Sequence, residues 1–128
     1  MQKIASSPIP VHQLQAYQKA AQQRRHQKAQ RLAQRHAHAW HVAQQAAQIL
    51  KRQFGATQVV VFGSVLSPKR FHQHSDVDLV VWGLAEGLYY QAVGRLQGLD
   101  ADIAVDLIEG ERVPAAIQET IRKTGRTL

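Results

Sequence analysis

The stretch from Val59 to Val81, VVVFGSVLSPKRFHQHSDVDLVV, constrains this chain more than any other segment. It sets two short apolar runs on either side of a polar loop, with a Gly-Ser pair closing the first run and two acids opening the second. Val59 to Phe62 is β-branched and aromatic and is bounded by turn residues, the pattern of a buried strand. Gly63 ends it and lets backbone approach a ligand with no Cβ in the way, while the Ser64 hydroxyl and neighbouring N–H groups are donors suited to a phosphate. Asp76 to Val81 reads as a second strand. Side chains alternate along a strand, so Asp76 and Asp78 share one face and Val77, Leu79 and Val81 the other. Two carboxylates so close together repel unless cations neutralise them, and oxygen-only, like-charged ligands suit Mg²⁺.

The rest of the chain alternates helix and strand. Leu84 to Leu99 places Leu88, Ala92, Val93 and Leu96 at helical spacing. Ala101 to Ile108 reads as a third strand, with Ile103, Val105 and Leu107 facing the core and Asp102, Ala104 and Asp106 facing away. Val113 to Thr124 carries Ile117 and Ile121 on a last short helix. With the helical N-terminal half, the expected order is α, β, β, α, β, α: an α/β (α+β) fold built on a small mixed sheet with flanking helices and a long N-terminal helix.

That N-terminal helix spans residues 11 to 54, which contain no Gly or Pro and are dominated by Ala, Gln, Arg, Lys and Leu. Pro10 suits its first turn. Trp40, Ala43, Ala47, Leu50 and Phe54 step by three or four and predict the face that covers the sheet, with Gly55 as the stop. Leu14, Tyr17 and Ala21 begin a stripe that Arg24, Arg25 and Lys28 interrupt. An unbroken helix of this length would run roughly 60 Å, so a break near residues 24 to 36, or a projecting helix packed on another chain, is expected. The chain is thus divided into a basic Gln/Ala-rich extension, 1–39, and a folded domain, 40–128.

Charge is distributed unevenly. Residues 1–75 hold 11 Lys or Arg and no acid, whereas residues 76–128 hold all nine acids, so the two parts carry +11 and −4. The basic part calls for a polyanionic or acidic partner, nucleic acid or an acidic protein surface; no aromatics are interleaved with its cations to stack bases. The absence of cysteine excludes disulfides, a thiolate nucleophile and a Cys-ligated zinc site. No apolar run approaches the length of a membrane span, and MQKIASSPIPVHQ lacks the apolar stretch of a signal peptide; a cytoplasmic chain with no membrane association is expected.

Gly63-Ser64 followed by Asp76-x-Asp78 resembles the Gly-Ser and Asp-x-Asp signature of the DNA polymerase β nucleotidyltransferase superfamily, most closely its minimal nucleotidyltransferase branch. The resemblance covers about residues 40 to 128. It extends to an acid on a later strand, Asp106 within Ala104 to Ile108, and to the tail from Pro114 through Ile117, Ile121, Gly125 and Arg126. Eleven residues, Val65 to Ser75, separate Ser64 from Asp76, one more than the family's usual spacing. Lys69 and Arg70 stand where they could replace a phosphate-contacting Arg that many relatives carry just after the Gly-Ser. The resemblance implies that Asp76, Asp78 and Asp106 are catalytic and bind two Mg²⁺ ions, with Asp106 helping to deprotonate the acceptor hydroxyl. It also implies that Gly63, Ser64, Lys69 and Arg70 contact the nucleoside triphosphate, ATP. By the same resemblance, the chain is expected to be the antitoxin of a HEPN-type toxin, adding AMP to a toxin tyrosine within a hetero-oligomer. The alternative is a non-catalytic module of the same fold that neutralises its partner, or binds RNA, by occlusion.

Several residues have plainer readings. Asp100 and Asp102 are rivals to Asp106. His36, His38 and His41 are expected as solvated helix residues, because no carboxylate precedes Asp76 to complete a metal site. His72 and His74 are expected to fill the loop. Trp82, Tyr89 and Tyr90 are expected to pack near the sheet and second helix, although a tyrosine hydroxyl is also a conceivable target of transfer in cis.

Overall fold

The computed structural model describes residues 8–128. The first seven residues of the expected extension, and of the segment judged against a signal peptide, lie outside them. In chain order the elements are α1 (Val11–Phe54), β1 (Gln58–Phe62), β2 (Val77–Trp82), α2 (Tyr89–Gln97), β3 (Val105–Glu109), α3 (Ala115–Thr124) and β4 (Arg126–Thr127). Short 3-10 turns cover Ser64–Leu66 and Gly110–Arg112. Mixed α+β architecture is as expected.

The chain divides into two compact units, Met1–Arg31 and Leu32–Leu128. In the first, residues 11 to 31 are helical and exposed except for Ala20 and Ala21. α1 runs without the break expected near residues 24 to 36. With neither Gly nor Pro and a strongly helix-favouring composition, nothing there interrupts the backbone ladder. The second unit starts earlier than residue 40 because Leu32 packs against the core and Arg35 and His36 bond to distant loops.

In this second unit the sheet order is β3-β2-β1-β4, with β2 and β3 parallel and the other pairs antiparallel. One face presents Val59, Val61, Val77, Leu79, Val81, Val105 and Leu107. On it lie Ala39, Val42, Ala43, Ala46, Ala47 and Leu50 of α1 and Ala92 and Leu96 of α2. The small alanines let the helix approach the β-branched surface closely. Burying these side chains stabilises the fold by about 1.5–3 kcal/mol for each large one. α1 ends at Gly55, whose φ of 70° permits the Ala56 N–H to bond back 3.0 Å to the Leu50 carbonyl.

The opposite face is only partly covered. Val60, Val80 and Trp82 pack with Phe62 and Ile121 of α3. The Trp82 indole donates 3.1 Å to Gln118, and the Arg122 guanidinium lies 4.6 Å over its ring. Beyond this cluster the face carries the acids.

Several details differ from the sequence expectation. β2 begins at Val77, so Asp76 immediately precedes it. β3 begins at Val105 rather than Ala101, because Asp100 Oδ2 accepts from the N–H groups of Asp102 (3.0 Å) and Ile103 (2.9 Å) and folds that segment into a turn. α2 begins at Tyr89 rather than Leu84, since the segment before it passes through positive φ at Gly83 and Gly87. The tail, expected as a helix followed by a Gly-containing turn, adds the short strand β4 on β1, and the Leu128 N–H bonds 2.9 Å to the Val59 carbonyl.

Candidate functional site

The register of three strands brings the acids together. Phe62, the last residue of β1, is paired with Asp78 of β2, and Asp78 is paired in turn with Asp106 of β3. Asp78 therefore lies between the end of β1 and the third acid, on the face opposite α1. Asp76 and Asp78 are half-buried and Asp106 is exposed.

Gly63 fixes this geometry. Its φ of 83° and ψ of −154° lie in a region that is essentially glycine's alone, and a Cβ there would sit 2.6 Å from Asp78 Oδ2. The carboxylate thus occupies the space a side chain would fill. From Gly63 the chain enters the 3-10 turn, held by Leu66 N–H to Gly63 O (3.2 Å), Ser67 N–H to Ser64 O (3.1 Å) and the fully buried Val65. Ser64, half-buried, opens the turn.

Burial pushes the Asp78 carboxyl above its usual range, and the charges of Asp106 and then Asp76 push it further; Asp106 also stands within hydrogen-bonding reach. Both neighbouring acids therefore act electrostatically on Asp78. Among the described residues, however, no three His, Cys, Asp or Glu side chains are drawn together tightly enough to hold a metal ion as they stand. By donor chemistry, hard oxygen ligands of like charge, Asp76, Asp78 and Asp106 fit Mg²⁺ rather than a softer metal.

Lys69 and Arg70 are exposed on the turn that follows, which closes through Arg70 N–H and Phe71 N–H to the Ser67 carbonyl (3.1 and 3.0 Å) and is anchored by the buried Phe71. Neither forms an ion pair among the described residues, and neither figures in the titration of Asp78. Of the rival acids, Asp100 shapes the loop before β3. Partial burial would raise its pKa, but the Asp102 and Ile103 N–H groups and His38 hold it below the usual range. Asp102 is exposed in that loop.

Two of the helix histidines are not simply solvated. His36 Nε2 bonds to the Val65 carbonyl within the Ser64–Leu66 turn (2.6 Å), and its ring lies 4.8 Å from that of Phe71. His38 Nε2 lies 2.8 Å from Asp100 Oδ1. Arg35, which sequence reasoning did not single out, donates to the Ser75 carbonyl (3.0 Å), just before Asp76, and to the Asp102 carbonyl (3.1 Å), ahead of β3. One turn of α1 thus fastens the three loops that lead into the site. The signal available in the sequence was position: Arg35 and His36 precede Ala39 by four and three residues and extend the core-facing stripe. His41, His72 and His74 are exposed, the latter two in the loop as expected. Tyr90, expected to pack, is 82% exposed.

No family model matches this chain, and no curated protein or solved structure matches it. Among the described residues no helix is long and apolar enough to cross a membrane.

Proposed function

We propose that this chain is a Mg²⁺-dependent nucleotidyltransferase that moves AMP from ATP to a protein hydroxyl. The observation that carries the reading is the conjunction at the end of β1: a glycine-only turn whose missing Cβ makes room for Asp78, with Asp78 in register with Asp106. In this reading Gly63 and Ser64 receive the triphosphate, and Lys69 and Arg70 meet its outer oxygens. Asp76, Asp78 and Asp106 are the residues that would hold two Mg²⁺ ions, which would supply charge neutralisation for the triphosphate. Asp106 takes the proton of the acceptor hydroxyl as that oxygen bonds to the α-phosphorus and pyrophosphate departs. The Asp78 carboxyl, raised first by burial and then by the charges of Asp106 and Asp76, supports a site in which an added cation would relieve a local cost.

The biological role we propose is that of a cytoplasmic antitoxin in hetero-oligomeric association with a HEPN-type toxin, whose tyrosine is the acceptor. The exposed basic surface of α1 supports an acidic protein partner or a nucleic acid. A second reading, a non-catalytic module that neutralises its partner or binds RNA by occlusion, is favoured by the lengthened loop and by the lack, among the described residues, of a ready three-ligand cluster. Intact mass measured after incubation with Mg²⁺ and each nucleoside triphosphate, with and without the candidate toxin, separates the two. A gain of nucleotide units that disappears in Asp76→Asn and Asp78→Asn is expected; a stable complex with no gain in mass would replace transfer by occlusion.

A further inference from the structure

The helical part of the first unit, residues 11–31 of α1, is roughly 30 Å long at about 1.5 Å per residue and exposed apart from Ala20 and Ala21. Its permanent cations are Lys19, Arg24, Arg25, Lys28 and Arg31. They stand in a stretch without a single acid, and among the described residues none of them forms an ion pair. A field of one sign that the fold leaves unneutralised calls for a polyanion from outside.

The placement of those cations narrows the choice of polyanion. Ala16, Ala20, Gln23, Gln27 and Gln30 step by four and three and so share one face of the helix. Lys19 and His26, seven residues apart, border that face on one side, and Arg24 and Arg31, also seven apart, border it on the other. At about 100° per residue the two borders stand about 140° apart around the axis, and Arg25 lies on the opposite side. Lys19, Gln22, Gln23, His26 and Gln27 line a shallow depression on one border of this face. Between the borders no apolar side chain is larger than alanine, so a protein groove would gain little by burying it. The glutamine amides instead each offer donors and an acceptor, which match the edges of bases.

We propose that residues 16–31 of α1 enter the major groove of duplex DNA, with Lys19 on the phosphates of one wall, Arg24 and Arg31 on those of the other, and Gln23 and Gln27 at the base edges. With its side chains an α-helix is about 10–12 Å across, and the major groove of B-form DNA is about 12 Å wide with phosphates along both walls. The corresponding groove of an RNA duplex is too deep and narrow to admit it. Single strands would call for aromatic platforms, and this face has none. Binding of this kind needs neither Mg²⁺ nor nucleotide and does not depend on nucleotidyl transfer.

The test uses the full chain and a fluorescent DNA duplex of mixed sequence, with affinity read by anisotropy as salt is raised. Three phosphate contacts give a slope of log K against log salt of about −2.7, so affinity should fall about 40-fold between about 50 and 200 mM salt. Lys19→Gln, Arg24→Gln and Arg31→Gln keep helix propensity at exposed positions, and each should make the slope shallower by about 0.9. Arg25→Gln removes the same charge from the opposite side and should leave the slope unchanged. Equal effects at all four positions would mean a diffuse basic surface and would overturn groove entry. DNA whose cytosines carry a glucosylated hydroxymethyl group, which fills the major groove, should bind about tenfold more weakly; undiminished affinity would overturn the proposal. So would an RNA duplex of the same sequence, or polyglutamate, bound as tightly as the DNA, or no binding to DNA at about 50 mM salt.

Discussion

Arg35 offers the sharpest test of how α1 holds the site. Replacement by Met keeps most of the apolar stem and removes two hydrogen bonds, to Ser75 O at 3.0 Å and Asp102 O at 3.1 Å. A bond from a charged donor contributes about 1.5–3 kcal/mol. The partly buried bond to Ser75 belongs in that range, and we assign about 1 kcal/mol to the exposed one. Against this, Arg35 Nε is buried without a partner, and removing it relieves roughly 1 kcal/mol of desolvation cost. The net loss is about 1.5–3 kcal/mol, which lowers the urea midpoint by roughly 1 M for a domain of this size. The effect should be local as well as global. The Val77 N–H, which bonds 3.0 Å to the Ala104 carbonyl and ties the two tethered loops together, should exchange with solvent about 10–150-fold faster. Because misplacing a catalytic group by about 1 Å costs about 100-fold in rate, any transfer activity should fall further than stability does. Arg35→Lys keeps the charge but not the planar fork, and should restore one bond of the two. An Arg35→Met chain with an unchanged urea midpoint and unchanged exchange at Val77 would refute the tether.

Two further substitutions test the site's electrostatics and its backbone. With its pKa raised in the folded chain, Asp78 binds its proton more tightly there than when unfolded, so its contribution to stability is fully present in acid and is lost as pH rises from near 3.8 through the folded value. Asp78→Asn should therefore melt above the wild type at pH 7 in divalent-free buffer, and the gain should vanish below about pH 4; a lower melting temperature at pH 7 would contradict it. Gly63→Ala adds backbone strain of about 1–3 kcal/mol and a Cβ against Asp78 Oδ2. Urea unfolding should show that loss shrinking in an Asp78→Ala background, and strictly additive losses would exclude the contact.

The sheet was legible because its signal is periodic. Val77, Leu79 and Val81 alternate with Asp78 and Val80, so the face that meets α1 could be assigned without knowing the pairing, as could the stripe from Ala43 to Leu50. What escaped depends on side chains that redirect backbone or reach across the sequence. Asp100 turns the segment expected to begin β3, and Gly83 and Gly87 delay α2. β4 is two residues long, too short for any periodicity. Arg35 meets carbonyls 40 and 67 residues away, a relation no local pattern encodes. Tyr90 follows a tyrosine whose hydroxyl is engaged, and nothing in the pair Tyr89-Tyr90 says which ring turns outward.

Where the fold departs from what stability alone would favour, the departures converge. Gly63 occupies a conformation open only to glycine, Asp78 is half-buried between Phe62 and Asp106 in register, and the two meet at the end of β1. An apolar residue at position 78 would serve the β1–β2 pair better, since its neighbours in register are Phe62 and the otherwise solvent-facing Asp106. Meanwhile α1 commits Arg35, His36 and His38 to fastening the surrounding loops. A surface that acted by occlusion alone would need shape and charge at its rim, neither of which calls for an uncompensated carboxylate cluster beside a strained turn. Local cost concentrated where loops are most firmly tied is what a site organised for chemistry would require, and it is on that ground that we propose transfer ahead of occlusion.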